Sequence, residues 1–288
     1  MRINRQNVRK IFTIASLIIV LFAIGLFGTR RAGGDYSNTT GPFFEGSFND
    51  EAGKFDGDLR VVTWNTHYAD NLEQTIQTLE DAEELRDADI LLLQEIDAKG
   101  VETIAQRLHY HYIFYPAAFN RQRRIEIGNA ILAKWPLSDP EKIVLPNALP
   151  GWLESRNSAS AKIIINGREI QVYCVHLEVT WMLLMRGESQ VEFLGRKAGG
   201  KDNFIILGGD FNTWTTASIA ILDDQMGKIG LKRLTKGTGY TFERAGLKFT
   251  LDHIFSNASL HHRAGVYRQT NTSDHYPVWA VIYIDPDK

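Results

Sequence analysis

The sequence has a single cysteine, Cys174, in 288 residues. That excludes an internal disulfide framework and any zinc site built on thiolates. Cys174 lies in the apolar run Ile170-Gln171-Val172-Tyr173-Cys174-Val175, where a buried strand thiol is expected rather than a nucleophile. An excess of charge of one sign is also missing. Lys and Arg number 32 against 34 Asp and Glu, a formal net of -2, so the whole chain has no basic bias toward nucleic acid. Internal repeats and low-complexity tracts are absent from residue 58 onward. What is there is 44% hydrophobic, 11% aromatic and 23% charged. That composition excludes a disordered, collagen-like or coiled-coil chain and supplies a sizeable core. The length fits one large domain or two small ones.

Long apolar runs are missing too, with one exception. Residues 11–28 (IFTIASLIIVLFAIGLFG) hold no charge. A bilayer-spanning helix needs about 20 apolar residues, so the run is short but adequate. A core helix would place polar residues at every turn, and this run does not. Arg2, Arg5, Arg9 and Lys10 precede it, and Arg30 and Arg31 follow, a bias that keeps the N-terminus in the cytoplasm. Residues 1–28 are therefore expected to be a single-pass membrane anchor, with the remainder outside the cytoplasm. The alternative is a cleaved signal peptide and secretion, with Ala23-Ile24-Gly25 as a small-x-small site. Residues 29–57, rich in Gly, Ser, Thr, Asn and Asp, read as a linker. Its Phe43, Phe44, Phe48 and Phe55 would pack either on the membrane surface or on the domain behind it. Residues 58–288 form that domain, with a net charge of about -4.

The domain is dense in short apolar runs separated by turn signals. Strands are expected at Leu59–Trp64, Ile90–Leu93, Asn129–Ala133, Ala159–Ile165, Ile170–Val175, Phe204–Leu207, Leu251–Phe255 and Val278–Ile284. Leu72, Ile76, Leu79 and Leu85 recur at helical spacing over residues 71–86, with Asn71 as the N-cap. A second helix is expected over Thr180–Leu194, and a hairpin turn at Gly167-Arg168. Strands joined both by helices and by hairpins imply a mixed α/β sandwich rather than a purely parallel sheet.

Polar groups follow these runs in a pattern. Asn65 and His67 follow the first, and Gln94-Glu95 the second. His176 and Glu178 follow the strand of Cys174, and Asp210 and Asn212 follow Phe204–Leu207. Asp252-His253 follows Leu251, and Asp274-His275 precedes the last run. Any one Asp or Asn after a strand is commonly a cap or turn former. Six placements, with Asp-His twice, exceed what turns need and imply one shared polar site, because unpaired buried charge is costly. Carboxylates with Asn are hard ligands suited to Mg2+ or Mn2+. Histidines nearby add acid–base capacity near neutral pH.

These residues resemble the endonuclease/exonuclease/phosphatase superfamily, whose fold is that of deoxyribonuclease I. The matching segments, in the family's order, are LRVVTWN (59–65), LQE (93–95), GNAIL (128–132), VHL (175–177), GDFN (209–212), LDHIF (251–255) and SDHYPV (273–278). The resemblance implies a four-layer α/β sandwich of two packed mixed β-sheets flanked by helices, with the site at one end. It implies Glu95 as principal metal ligand, with Asn65 and Asp274 near a Mg2+ or Mn2+ ion. Asp210 would orient or deprotonate the attacking water, and Asn212 would hold phosphate or water. His275, paired with Asp252, would stabilise the charged phosphorus. His176 would contact phosphate or protonate the leaving oxygen. His67 and Arg156 either reach the phosphate as well or are a surface histidine and a solvated loop charge.

The implied substrate is a phosphate ester, and its kind stays open. Arg121-Gln122-Arg123-Arg124 suits a DNA backbone, or is a solvated charge cluster. The anchor, with Leu149, Trp152, Leu153 and residues 181–185, suits phospholipid or inositol phosphate, as in sphingomyelinases, unless these residues are core. Asp97 stands where the apurinic-endonuclease branch carries Lys, which argues against abasic-site repair. The intact polar set argues against an inactive binding module. No feature calls for an obligate protein partner.

Overall fold

Apolar residues occupy consecutive positions in these strands instead of alternate ones, and the layering explains why. The computed structural model describes residues 36–50, 53, 55–120, 123–146, 156–178, 189–199, 204–257 and 262–284. One sheet runs β1 (Phe44–Ser47), β4 (His111–Asn120), β5 (Ile125–Ala133), β3 (Ile90–Ile96), β2 (Asp58–Asn65), β15 (Val278–Tyr283), β14 (His262–Val266). The other runs β10 (Lys232–Arg233), β13 (Asp252–Ser256), β9 (Phe204–Asp210), β8 (Arg168–His176), β7 (Asn157–Ile165), β6 (Ser138–Val144). A separate hairpin pairs β11 (Phe242–Arg244) with β12 (Leu247–Phe249). The helices are α1 (Leu72–Asp81), α2 (Ala98–Leu108), α3 (Gln190–Ala198) and α4 (Thr216–Lys228).

Leu59, Val61, Ile90 and Leu92 meet Val172, Cys174, Ile206 and Ile254 between the sheets. Their neighbours Val62, Trp64, Leu91 and Leu93 face outward onto Ile76 and Leu79 of α1 and Val101 and Ile104 of α2. On the far side Tyr173, Val175, Ile205 and Leu207 pack on Val191 and Leu194 of α3 and Leu222 and Met226 of α4. Both faces of each central strand are buried, so the strands read as continuous apolar runs. The result is the expected four-layer mixed α/β sandwich. β2 with β3 and β8 with β9 are parallel, and their neighbours are antiparallel. Parallel pairs need crossovers, and α1 and α3 lie in them. The C-terminal ends of these two pairs fall at one end of the sandwich.

Several local expectations change. Residues 44–47, inside the stretch read as a linker, pair with β4. The linker phenylalanines settle on the domain: Phe43 lies 4.8 Å from Tyr115, Phe44 5.9 Å from Phe114 and Phe48 6.3 Å from Tyr112. The hairpin turn sits at Asn166-Gly167, one residue earlier than expected, because both adopt positive φ (50° and 79°) and Arg168 already pairs with Ile165. α1 stops at Asp81, and the Asn71 amide donates to Gln74 instead of capping the helix. Leu85 is buried from the turn that follows. Of the second expected helix, residues 180–188 lie outside the described residues. The described helix starts behind Ser189, whose hydroxyl and Glu192 form a reciprocal capping box, and it ends at Ala198. Residues 1–35, Arg121, Gln122, Leu149, Trp152, Leu153 and 181–185 also lie outside the described residues. Among the described residues, no helix is long and apolar enough to cross a membrane.

Candidate active site

Strand register brings the predicted residues together. In the parallel pair β8–β9, His176 stands opposite Asp210. In the antiparallel pair β9–β13, Asp210 stands opposite Asp252. Three neighbouring strands thus present His176, Asp210 and Asp252 side by side. Asn65 ends β2 in the other sheet, and its Nδ2 donates to Asp210 Oδ2 at 3.1 Å, joining the two sheets. Ser273 Oγ donates to Asn65 O, and Trp64 Nε1 donates to His275 O, which ties the Asp274-His275 segment to the end of β2.

Two backbone features make this approach possible. Glu95 has φ +54°, at a bulge where the β3–β5 register shifts between Gln94 and Ile96. Bulges re-aim side chains at strand ends, and a left-handed non-glycine residue is strained. Gln94 turns inward, donating to Thr63 Oγ1, Leu92 O and Cys174 Sγ, while Glu95 stays partly exposed at the site. At Gly209, φ is +151° and a Cβ would lie 1.9 Å from Val175 O, so only glycine lets β9 lie this close to β8.

His275 is buried, with Nδ1 2.9 Å from Asp252 Oδ2 and Nε2 3.7 Å from Asp210 Oδ2. Burial works against its charge, but Asp252, Asp210 and Asp274 prevail and push its pKa up to about 10. Burial raises the Asp210 carboxyl, and Asp252 adds to this; His275 and hydrogen bonds from Asn212 and Asn65 oppose it, leaving it at about 7. Asp252 Oδ2 also accepts from Thr241 Oγ1 at 2.7 Å. His176 is held well below the usual imidazole range, first by burial, then by Arg156 and His275. Its Nε2 lies 3.5 Å from Asp210 and 3.8 Å from Glu95. Arg156 is no solvated loop charge. Its NH1 is 3.0 and 2.9 Å from the two ring nitrogens of His176, so it sits over the ring face, and Nε is 3.7 Å from buried Glu178.

Asn212 adopts φ +51°, donates its backbone N–H to Asp210 Oδ1 and its amide to Leu177 O, and accepts from Trp214 Nε1. Asp274 accepts from His67 at 3.0 Å, and Arg244 lies 3.7 Å away. Burial of Asp274 is outweighed by His67, His275 and Arg244, which lower its pKa. His67 is therefore a partner of Asp274 and not an isolated surface histidine. His253 does not join the site. It alternates with Asp252 onto the opposite face, beside Phe211 and Phe255, with Nε2 2.8 Å from Thr213 Oγ1.

Two groups of acceptors offer themselves to a cation. Asp210, Asp252 and His275 converge within 4.8 Å. That trio already places an imidazolium between two carboxylates, so its charge is largely balanced internally. Glu95 differs: among the described residues no Lys or Arg lies within ion-pair range of it, the ring within that range, His176, is neutral, and His67 acts on it only from farther away. A carboxylate so placed, at the end of the strand whose Gln94 pairs with Asn65, fits a hard divalent cation.

Residues that the sequence reading left without a role also shape the site. Asn129 Nδ2 donates to Asn157 O and Oδ1, and Asn157 Nδ2 donates to Tyr115 O and Pro116 O at a bulge in β4. With Arg156 they line a recess against Glu95 and His176. Asn129 was marked only by its place in the GNAIL segment, and Asn157, just ahead of the expected strand Ala159–Ile165, carried no signal.

The profile of the endonuclease/exonuclease/phosphatase family matches residues 62–275. No curated protein matches the sequence. Among solved structures, an endonuclease/exonuclease/phosphatase family protein from Leptotrichia buccalis C-1013-b is similar, with 18% identity and TM-score 0.62 over 78% of this chain and 100% of that one. SmcL is similar at 18% identity and TM-score 0.61, over 79% of this chain and 100% of that one. D. rerio TDP2 complexed with a single-strand DNA product is similar at 18% identity and TM-score 0.58, over 78% and 99%. At these identities the likeness concerns the fold.

Proposed function

The chain belongs to the endonuclease/exonuclease/phosphatase family and is a hydrolase of phosphate esters, and within that class we propose a metal-dependent, nuclease-like phosphodiesterase. The observation that carries this reading is the pairing of buried Asp210 with a charged His275–Asp252 dyad beside Glu95, which has no Lys or Arg partner among the described residues. Glu95, Asn65 and Asp274 would hold Mg2+ or Mn2+. When bound, such an ion polarises a phosphoryl oxygen and neutralises developing charge.

The chain's own groups do the rest. Asp210, aimed by Asn65 and by the backbone N–H of Asn212, orients the attacking water and accepts its proton. A pKa near 7 suits a base at neutral pH. Water attacks in line, opposite the leaving ester oxygen. His275 Nε2 donates to a phosphoryl oxygen as charge grows there. Neutral His176, steadied by Arg156, donates a hydrogen bond to phosphate or to the leaving oxygen, which takes its proton from solvent water. Asn212 positions Asp210 through its backbone N–H, and its side-chain amide, fixed by Leu177 O and Trp214 Nε1, would hold phosphate or water.

Nucleic acid is the favoured substrate, since D. rerio TDP2 holds a single-strand DNA product on this fold. The apolar run 11–28 favours a second reading, a phospholipid or inositol phosphate substrate at a membrane. On either reading residues 11–28 anchor the chain with residues 58–288 outside the cytoplasm, or are cleaved before secretion. Full-length protein that resists carbonate extraction supports the anchor, and a mature N-terminus near residue 26 supports cleavage. A divalent-metal activity screen tests the chemistry, using plasmid DNA, bis-p-nitrophenyl phosphate, sphingomyelin and inositol phosphates. It should use the chain without residues 1–35, because removal up to residue 56 would delete β1. EDTA should abolish turnover. Full activity in excess EDTA, or zinc in place of magnesium, would count against the reading.

A further inference from the structure

The β11–β12 hairpin belongs to neither sheet, yet it is fastened to the site at several points. Phe242 forms a backbone bridge with His275, and their rings lie 4.9 Å apart. Glu243 N donates to Asp274 O at 2.9 Å, and Tyr276 N donates to Thr241 O at 2.7 Å. Trp214 packs edge-on against Phe242 and Phe249 at 5.4 and 4.8 Å. The hairpin is thus a rigid arm whose position is set by the residues around His275. At its tip, Ala245 and Gly246 both have positive φ (51° and 80°), the pattern of a tight two-residue turn.

Three cations lie on or beside the arm, and two are engaged. Lys248 Nζ sits 4.4 Å over the Tyr240 ring and 3.6 Å from Glu243. Arg268 covers the same ring at 4.3 Å and donates to Thr238 O and Tyr240 O. Arg123, in the basic run before Gly128, is likewise paired with Asp70 and stacked on Tyr68. Arg244 is different. Its side chain is 72% exposed, and its only ion pair among the described residues is with Asp274, at 3.7 Å.

We propose that Arg244 is a substrate-recognition residue, presented by the β11–β12 arm to a phosphate next to the scissile one on a polynucleotide. This rests on the phosphodiesterase reading above and names its substrate class. Asp274 places the guanidinium beside the site but leaves most of its five donors free for phosphate oxygens. A flanking phosphate exists only in a substrate with more than one phosphodiester. At the tip, Leu247 is exposed and Lys248 is held by Tyr240 and Glu243, so Arg244 is the cation this end of the arm offers to a phosphate backbone.

The test compares two substrates with the full chain in detergent and Mg2+: a single-stranded oligonucleotide, and bis-p-nitrophenyl phosphate, which has no flanking phosphate. Arg244→Ala should raise KM for the oligonucleotide about tenfold with kcat nearly unchanged. The slope of log(kcat/KM) against log salt should flatten by about 0.7, one phosphate contact on a single strand. Arg244→Lys should restore part of the loss, and Arg244→Ala should cost the oligonucleotide several-fold more of its kcat/KM than it costs bis-p-nitrophenyl phosphate, whose smaller loss reflects only the altered surroundings of Asp274. An equal loss on both substrates, or no loss on either, overturns the proposal. If the wild type cleaves bis-p-nitrophenyl phosphate or sphingomyelin vesicles but not the oligonucleotide, the arm's assignment falls and the hydrolase reading stands. No turnover of any phosphodiester overturns both.

Discussion

Asp252 holds His275 through Nδ1 at 2.9 Å, which leaves Nε2 of the same ring on the side of Asp210, 3.7 Å away. Burial disfavours the imidazolium, but the surrounding carboxylates raise its pKa from 6.5 to about 10. Below pH 6.5 folded and unfolded chains both carry this proton, and the dyad's stabilisation is complete. Between 6.5 and about 10 only the folded chain keeps it, so stability falls as pH rises through that window. Thermal unfolding in EDTA should show a falling midpoint from about pH 7 to pH 10, with His275→Gln flattening the fall. An equally steep fall in the variant would contradict the assignment.

Gly209→Ala tests the close approach of β8 and β9. The added Cβ meets the Val175 carbonyl at 1.9 Å, so the strands must separate. A loss of about 2 kcal/mol or more is expected in urea unfolding. Activity of the folded fraction should fall as well, because the same strands carry His176 and Asp210. Wild-type stability would refute the argument from backbone contact.

Cys174 is fully buried beneath the site, next to Gln94, and burial pushes its thiol up to about 12. Thiolate is the reactive form, so a thiol reagent near neutral pH should leave native protein unmodified. Labelling should appear only with unfolding. Rapid labelling of folded, active protein would falsify this placement.

The strands and the polar set at their ends were legible because burial on both faces forces unbroken apolar runs, and these make an Asn, Glu, His or Asp at the edge conspicuous. Val61, Val62, Thr63, Trp64 and Asn65 show this directly. Strands with mixed faces were harder to read: β6 opens on four exposed residues, and β1 hides in a Gly- and Asn-rich stretch. The bulge that turns Glu95 outward and Gln94 inward left no sequence mark, since it depends on register with β5. Arg156 over His176, and Arg244 beside Asp274, are tertiary contacts between residues 20 and 30 positions apart. No local pattern announces such contacts.

The central claim is a division of labour between Asp210 at the reacting water and Glu95 at the metal. Asp210→Asn keeps the shape and removes the proton acceptor. It should lower kcat by about two to four orders of magnitude with little change in KM. Glu95→Gln weakens a ligand, so added Mg2+ should restore part of its activity, whereas Asp210→Asn should not respond. If both merely capped local structure, each would cost about 1 kcal/mol of stability and leave catalysis normal in the folded fraction. The decisive measurement is kcat against Mg2+ concentration for the two folded variants. The account predicts recovery for Glu95→Gln alone, and near-wild-type kcat for Asp210→Asn would contradict it.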